Sequence, residues 1–280
     1  MASKKTSTDT RFPTPKKLTN HGPARIIAMC NQKGGVGKTT TAVNMAAALA
    51  DYGRKVLAID FDPQGALSTH LGVLAVPGEI PTVYDLLKGT IKDPHEVIRQ
   101  SPIKNLDLMP ANIDLSAAEI ELVNEVARES ILANILRKVS NEYDVIIIDC
   151  QPSLGLLTVN ALTAAHGVLI PMAPDFFALR GVAILEGIIK KVQARLNETL
   201  VLDGVLATMY DSRTHHSREV MDMLRDKFGD QVFKSVIART VKFPDATRVA
   251  EPITSYAPTS EAAESYRTVA RELISRGGAP

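Results

Sequence analysis

The sequence predicts an α/β chain with a doubly wound, mostly parallel sheet and helices on both faces. Three observations predict it. Short β-branched runs alternate with helix-periodic segments along most of the chain, which is the pattern of successive βα units. One of those runs, Val145–Cys150, is apolar without alternation, as in a strand covered on both sides. A glycine-rich loop joins the first strand to the first helix, where open sheets of this kind bind ligands.

The elements are read in order. Residues 1–24 are rich in Lys, Thr and Pro, lack periodicity and read as a flexible basic tail; residues 25–280 read as one domain. Ile26–Cys30 is a strand. Thr39–Tyr52 is an Ala-rich helix stopped at Gly53. Lys55–Asp60 and Leu106–Met109 are strands. Ser116–Val139 is expected as one long helix, with Ser116 and Glu119 as its capping box. Val145–Cys150 is a strand, Leu156–Ala165 a helix, Gly167–Met172 a strand and Ala178–Leu196 a helix. Val201–Met209 is a strand, Ser217–Phe228 a helix closed by Gly229, Val232–Ile237 a strand, and Ser260–Ser275 a last helix capped by Ser260.

Composition narrows the class. Of 280 residues 45% are hydrophobic and 22% charged, as in an ordinary globular chain. Two cysteines make no disulfide scaffold, so a reducing, cytoplasmic setting is expected. The apolar zone from Leu156 to Leu185 is interrupted by His166, Pro171, Pro174, Asp175 and Arg180 and reads as two core segments rather than a membrane span. The net charge of +1 excludes a wholesale nucleic-acid coat. It hides an asymmetry: residues 1–25 carry six basic groups against one acidic, whereas the remainder is net −4.

The chemistry sits in three motifs. Asn31-Gln32-Lys33-Gly34-Gly35-Val36-Gly37-Lys38-Thr39-Thr40 follows a strand and opens a helix. Its glycines let backbone N–H groups turn inward as an anion nest, and the helix N-terminus adds positive charge. Lys38 suits β- and γ-phosphates and the Thr39 hydroxyl suits Mg²⁺. Asp60-Phe61-Asp62-Pro63-Gln64-Gly65 ends the second strand with two carboxylates facing that loop. Asp149 ends the strand Val145–Cys150, as a metal-side carboxylate does in phosphate-transfer sites. Cys30 and Cys150 are expected as small buried hydrophobes.

The loop Lys33–Thr40, with Gln32 where the strict P-loop has glycine, resembles the deviant Walker A motif of the ParA/MinD ATPases. The resemblance covers about residues 24–275. It implies ATP and Mg²⁺ as cofactors, with Lys33, Gly34, Gly35, Val36, Gly37, Lys38, Thr39 and Thr40 at the phosphates. It also implies an ATP-dependent sandwich dimer in which Lys33 reaches the nucleotide of the other subunit. Asp62 would position the attacking water and Asp60 would support Mg²⁺ with Thr39 and Asp149. Gln151 stands where the family has the first proline of a Pro-Pro pair.

Met209-Tyr210-Asp211-Ser212-Arg213-Thr214 resembles a segment of the ParA/Soj branch, and Met209 is carried over as a nucleotide-binding position. Ala238-Arg239-Thr240-Val241-Lys242 is similar to the branch's Pro-Arg-Asn signature, with Ala238, Thr240 and Lys242 as replacements. By position, Arg213, Arg239 and Lys242 are implied to bind non-specific DNA. The implied role is weak, partner-stimulated ATP hydrolysis in chromosome or plasmid partition, with a ParB-like partner and a nucleoid-associated, cytoplasmic protein. The alternatives are a positioning ATPase for another cargo, such as an orphan ParA-like protein beside condensin or chemotaxis machinery, a MinD-like membrane ATPase and a ligase of the dethiobiotin synthetase type. The last helix has balanced charges and a small-residue stripe, which fits docking on the domain better than lipid insertion.

Overall fold

The computed structural model describes residues 11–280. Eight strands form one sheet: β1 (Arg25–Met29), β2 (Val56–Phe61), β3 (Arg99–Gln100), β4 (Leu106–Met109), β5 (Val145–Cys150), β6 (Gly167–Met172), β7 (Val201–Tyr210) and β8 (Val232–Ala238). Their order is β3-β4-β2-β5-β1-β6-β7-β8. All neighbours are parallel except the two-residue β3, which runs antiparallel to β4. The strands therefore need crossovers, and the chain supplies helices for them.

The helices are α1 (Lys38–Asp51), α2 (Ala66–His70), α3 (Val83–Lys88), α4 (Leu115–Glu121), α5 (Ile131–Leu136), α6 (Leu156–Ala164), α7 (Ala178–Arg195), α8 (His215–Phe228), α9 (Lys242–Arg248), α10 (Ile253–Tyr256) and α11 (Glu261–Ser275). Alternate strand residues point to opposite faces, and here both sets are apolar. Ile26, Ala28, Ile146 and Ile148 face the layer of α3 to α8. Ile27, Met29, Val145 and Ile147 face α1, α2, α10 and α11. That two-sided burial is why β5 carries no polar alternation.

The expected long helix over Ser116–Val139 is not formed. The chain makes α4, turns through Glu125 at ψ 139° and Ala127 at φ 55°, and restarts as α5. The reason is a partner remote in sequence. Buried Asn160 on α6 donates to the Arg128 carbonyl (2.8 Å) and accepts from Leu132 N–H (3.2 Å), satisfying the backbone groups that the break exposes. The expected capping box is also absent: Asn112 accepts from Asp114 N–H at the start of α4, and Glu119 points elsewhere. At the other end of the chain, Ser260 caps α11 by accepting from Ala263 N–H at 3.2 Å.

Part of the segment expected as a tail, residues 1–10, lies outside the described residues. The stretch that follows touches the domain. His21 Nδ1 lies 2.7 Å from Asp144, Gly22 N–H donates to the same carboxylate, and Arg54 donates to the Lys16 carbonyl at 2.9 Å.

Candidate functional site

The order β2-β5-β1 places the carboxyl ends of three adjacent strands side by side. Each delivers one motif. β1 runs through Cys30 into the glycine loop, β2 ends at Asp60-Phe61, and β5 ends at Asp149-Cys150. Asp60 and Asp149 are register partners on neighbouring parallel strands, so both point to the side of α1, which Lys38 opens.

The loop is built on left-handed turns at Gly35 (φ 72°) and Gly37 (φ 80°). Side chains at those two positions would strain the backbone that aims the N–H groups inward. Two neighbours that sequence reasoning missed anchor the loop. Asn31 donates to the Pro171 carbonyl (2.8 Å) and accepts from Lys33 N–H (2.9 Å). Buried Thr208 donates to the Val36 carbonyl at 2.7 Å, tying the loop to β7. Lys38 is buried and donates to the Lys33 carbonyl at 3.3 Å, so its ammonium lies along the loop.

The carboxylates carry the electrostatics. Asp149 is wholly buried, and neither of its oxygens has a hydrogen-bond partner. Burial first, and the Asp60 carboxylate second, push its pKa well above the usual range; the Thr39 hydroxyl and Lys38 pull the other way. The hydroxyl is near enough to favour the charge without completing a bond. Asp60 is pushed up to about 7, mainly by burial, although Ser68 donates to it from both N–H (2.8 Å) and Oγ (2.7 Å). Two adjacent buried carboxylates, one with orphaned oxygens, are costly without a cation. A divalent metal supplies one, and Thr39, Asp60 and Asp149 are hard oxygen donors that suit Mg²⁺. Among the described residues no cluster of three or more His, Cys, Asp or Glu forms a complete metal cage. Asp62 stands at the rim of the same site, and its carboxylate accepts from Gln64 N–H at 3.0 Å.

Lys33 is exposed on the loop and ion-paired with Asp175, which follows β6. Met209 has the left-handed φ of 51° near the end of β7, where the β7–β8 register slips. It lines a cavity of about 290 Å³ with Gly37, Thr40, Thr208, Arg239 and Phe243. Arg239 thus borders the loop. Lys242 opens α9 beside it, and both line the neighbouring cavity. Arg213 stands apart, 88% exposed, with Asp211 gripping its Nε (2.9 Å) and Nη2 (2.8 Å). Cys30 and Cys150 are buried free thiols with their sulfurs 3.2 Å apart.

Sheet order, glycine loop and paired strand-end carboxylates define a P-loop nucleotide-binding protein of the α/β class. The AAA domain family model matches residues 24–202. An uncharacterized protein of Mycobacterium tuberculosis is 54% identical over 95% of this chain and 84% of its own length. The chromosome-partitioning ATPase Soj of Treponema pallidum is 46% identical over 91% of this chain and 98% of its own. A solved structure named cobyrinic acid a,c-diamide synthase, from Mycobacterium smegmatis with bound ADP and magnesium, is 39% identical. It has a TM-score of 0.79 and covers 91% of this chain and 96% of its own. The chain belongs to the ParA/Soj family of P-loop ATPases.

Proposed function

We propose that the protein is a partition ATPase that binds ATP with Mg²⁺, closes as a sandwich dimer and holds non-specific DNA until hydrolysis releases it. The observation that carries this reading is the orphaned, buried Asp149 beside Asp60 and Lys38, directly under the glycine loop. Mg²⁺ would be held by Thr39 and Asp149, with Asp60 supporting it, and would neutralise charge on the phosphates. Backbone N–H groups of Gly34 to Thr40 would cradle the phosphates, and Met209 would contact the nucleotide. Lys33 would leave Asp175 to reach the partner subunit's nucleotide, a charge supplied in trans. Asp62, at the rim, would orient the attacking water.

Arg213, Arg239 and Lys242 all follow the carboxyl ends of β7 and β8 and would form one DNA-facing stripe on dimerisation. Contacts of that kind are sequence-independent and salt-sensitive. A ParB-like protein would stimulate weak basal turnover in chromosome or plasmid partition, and the protein would work in the cytoplasm on the nucleoid. A lipid surface is disfavoured because the apolar stripe of α11 is already used: Ala263, Tyr266, Val269 and Leu273 are buried against the domain. Among the described residues no helix is long and apolar enough to cross a membrane.

The test is ATP-dependent retention of random-sequence DNA over a salt series, alongside sizing with a non-hydrolysed ATP analogue. Arg239→Glu is expected to weaken retention and flatten the salt slope. A monomer that stays a monomer with the analogue would refute the sandwich. That result would favour a second reading, a small-molecule ligase, to which the name of the M. smegmatis relative points.

A further inference from the structure

Glu119 has the spacing of a capping residue for its own helix, yet its carboxylate leaves α4 and sits on the N-terminus of α6. Oε2 accepts from Leu156 N–H at 2.8 Å. Oε1 accepts from Leu157 N–H at 3.3 Å and from the Gln151 side-chain amide at 2.7 Å. All three partners are donors, so the site calls for a group that only accepts. Helix α6 has no side-chain cap of its own: its N-cap is Gly155, at φ −79°. That φ suits any residue, so the glycine is not there for backbone freedom. A Cβ on Gly155 would stand 2.5 Å from Oε1 and 2.7 Å from Oε2. Glycine is there so that the carboxylate can approach.

The clamped stretch, Gln151 to Leu157, begins two residues after Asp149. Asp149 needs a fixed strand end because nothing hydrogen-bonds its carboxylate. The next residue on α4, Ile120, is 78% exposed. Helix α4 therefore joins the protein surface to the backbone just beyond the metal-facing carboxylate.

We propose that Glu119 is a positioning residue for hydrolysis, clamping Gln151 and the first turn of α6 so that the chain beyond Asp149 keeps one geometry through turnover. The inference rests on the ATPase reading above. Glu119→Gln keeps the shape and turns one acceptor into a donor facing donors. It is expected to lower kcat about tenfold and raise the Mg²⁺ concentration for half-maximal rate severalfold, with KM for ATP changed less than about twofold. A purely structural cap would instead lower the thermal midpoint and leave kcat per nucleotide-binding site unchanged, and that outcome overturns the proposal. Gly155→Ala disturbs the clamp from the opposite side and is expected to reproduce the kcat loss should Glu119→Gln not fold. Gln151→Leu removes one arm, and its loss is expected not to add to that of Glu119→Gln; full additivity overturns the coupling.

One readout is independent of ATP hydrolysis. In nucleotide-free protein, deuterium exchange at the Leu156 and Leu157 amides is expected to quicken at least about tenfold in Glu119→Gln. Unchanged protection refutes the clamp itself. Wild-type protein that hydrolyses no ATP refutes the ATPase reading and with it the role in hydrolysis, while the exchange result still decides the clamp.

Discussion

Replacing Asp60 by Asn is expected to stabilise the nucleotide-free protein at alkaline pH and not at acid pH. The carboxyl is buried beside Asp149, and its pKa rises from 3.8 to about 7, chiefly through burial. A folded-state pKa above the unfolded value means that the native state binds this proton more tightly. Stability from this group is therefore complete below about pH 4, falls as pH rises, and is lost above about 7. At about 1.4 kcal/mol per pH unit, the ionised form costs about 4 kcal/mol at pH 8. Asn still accepts from Ser68, but its side-chain N–H₂ now faces the Asp62 N–H that donates to Asp60 Oδ1 at 3.3 Å, and two opposed donors take back about 1–2 kcal/mol. The net gain at pH 8 is about 2–3 kcal/mol, which for a chain of 280 residues raises the thermal midpoint by about 3–5 °C. Thermal unfolding at pH 5 and pH 8, with chelator present, measures it. A variant less stable than wild type at pH 8, or equally stabilised at both pH values, would refute the assignment of that cost to the Asp60 charge. ATP with Mg²⁺ is expected to narrow the gap by stabilising wild type more, since the variant gives up the carboxylate that the proposed reading places beside the metal.

Lys33→Ala and Asp62→Ala are each expected to retain ATP binding and to cut phosphate release at least about a hundredfold, since the proposed reading has both acting on charge and water in the transition state. Unimpaired turnover in either would remove it from the chemistry. Thr208→Val leaves the Val36 carbonyl without its donor and should weaken nucleotide affinity about fivefold by equilibrium titration; unchanged affinity would show that the anchor is dispensable. Asp211→Asn releases the guanidinium that Asp211 holds. It should tighten DNA binding, an effect that Arg213→Glu abolishes; indifference of the salt slope to both changes would exclude Arg213 from the interface. Deleting residues 2–23 strips two partners from the buried Asp144. It should cost about 1–3 kcal/mol with ATP binding intact, and a thermal midpoint equal to that of the full chain would refute the anchor.

The sheet was largely legible because burial on both faces leaves a mark in the sequence. Val145–Cys150 and Gly167–Met172 coincide with β5 and β6, where an unbroken apolar run admits little else. The glycine loop and the strand-end carboxylates were legible for a related reason: phosphate and metal chemistry restricts which residue types stand at a strand tip. What escaped was whatever depends on a partner distant in the chain. The break after α4 is stabilised by Asn160, more than thirty residues downstream. Glu119 matched a local capping pattern and is used by another helix. Thr208, Asn31 and Asp175 carry no local signature, although an asparagine directly before a phosphate loop is a place to look. Helices α9 and α10, with seven and four residues, are too short for periodicity to show.

The contacts at Asp144 fix where the chain that leads to an N-terminal fusion joins the domain. Asp144 precedes β5, and the segment it holds, His21-Gly22, precedes β1, so both lie at the amino ends of their strands. Nucleotide and the candidate DNA residues gather at the carboxyl ends, a strand of five residues away, or about 17 Å. A fluorescent protein or affinity handle fused at the N-terminus is thus attached through a point at the opposite end of the strands from the glycine loop. A C-terminal fusion starts beside the same end, since the Pro280 carbonyl accepts from Arg54.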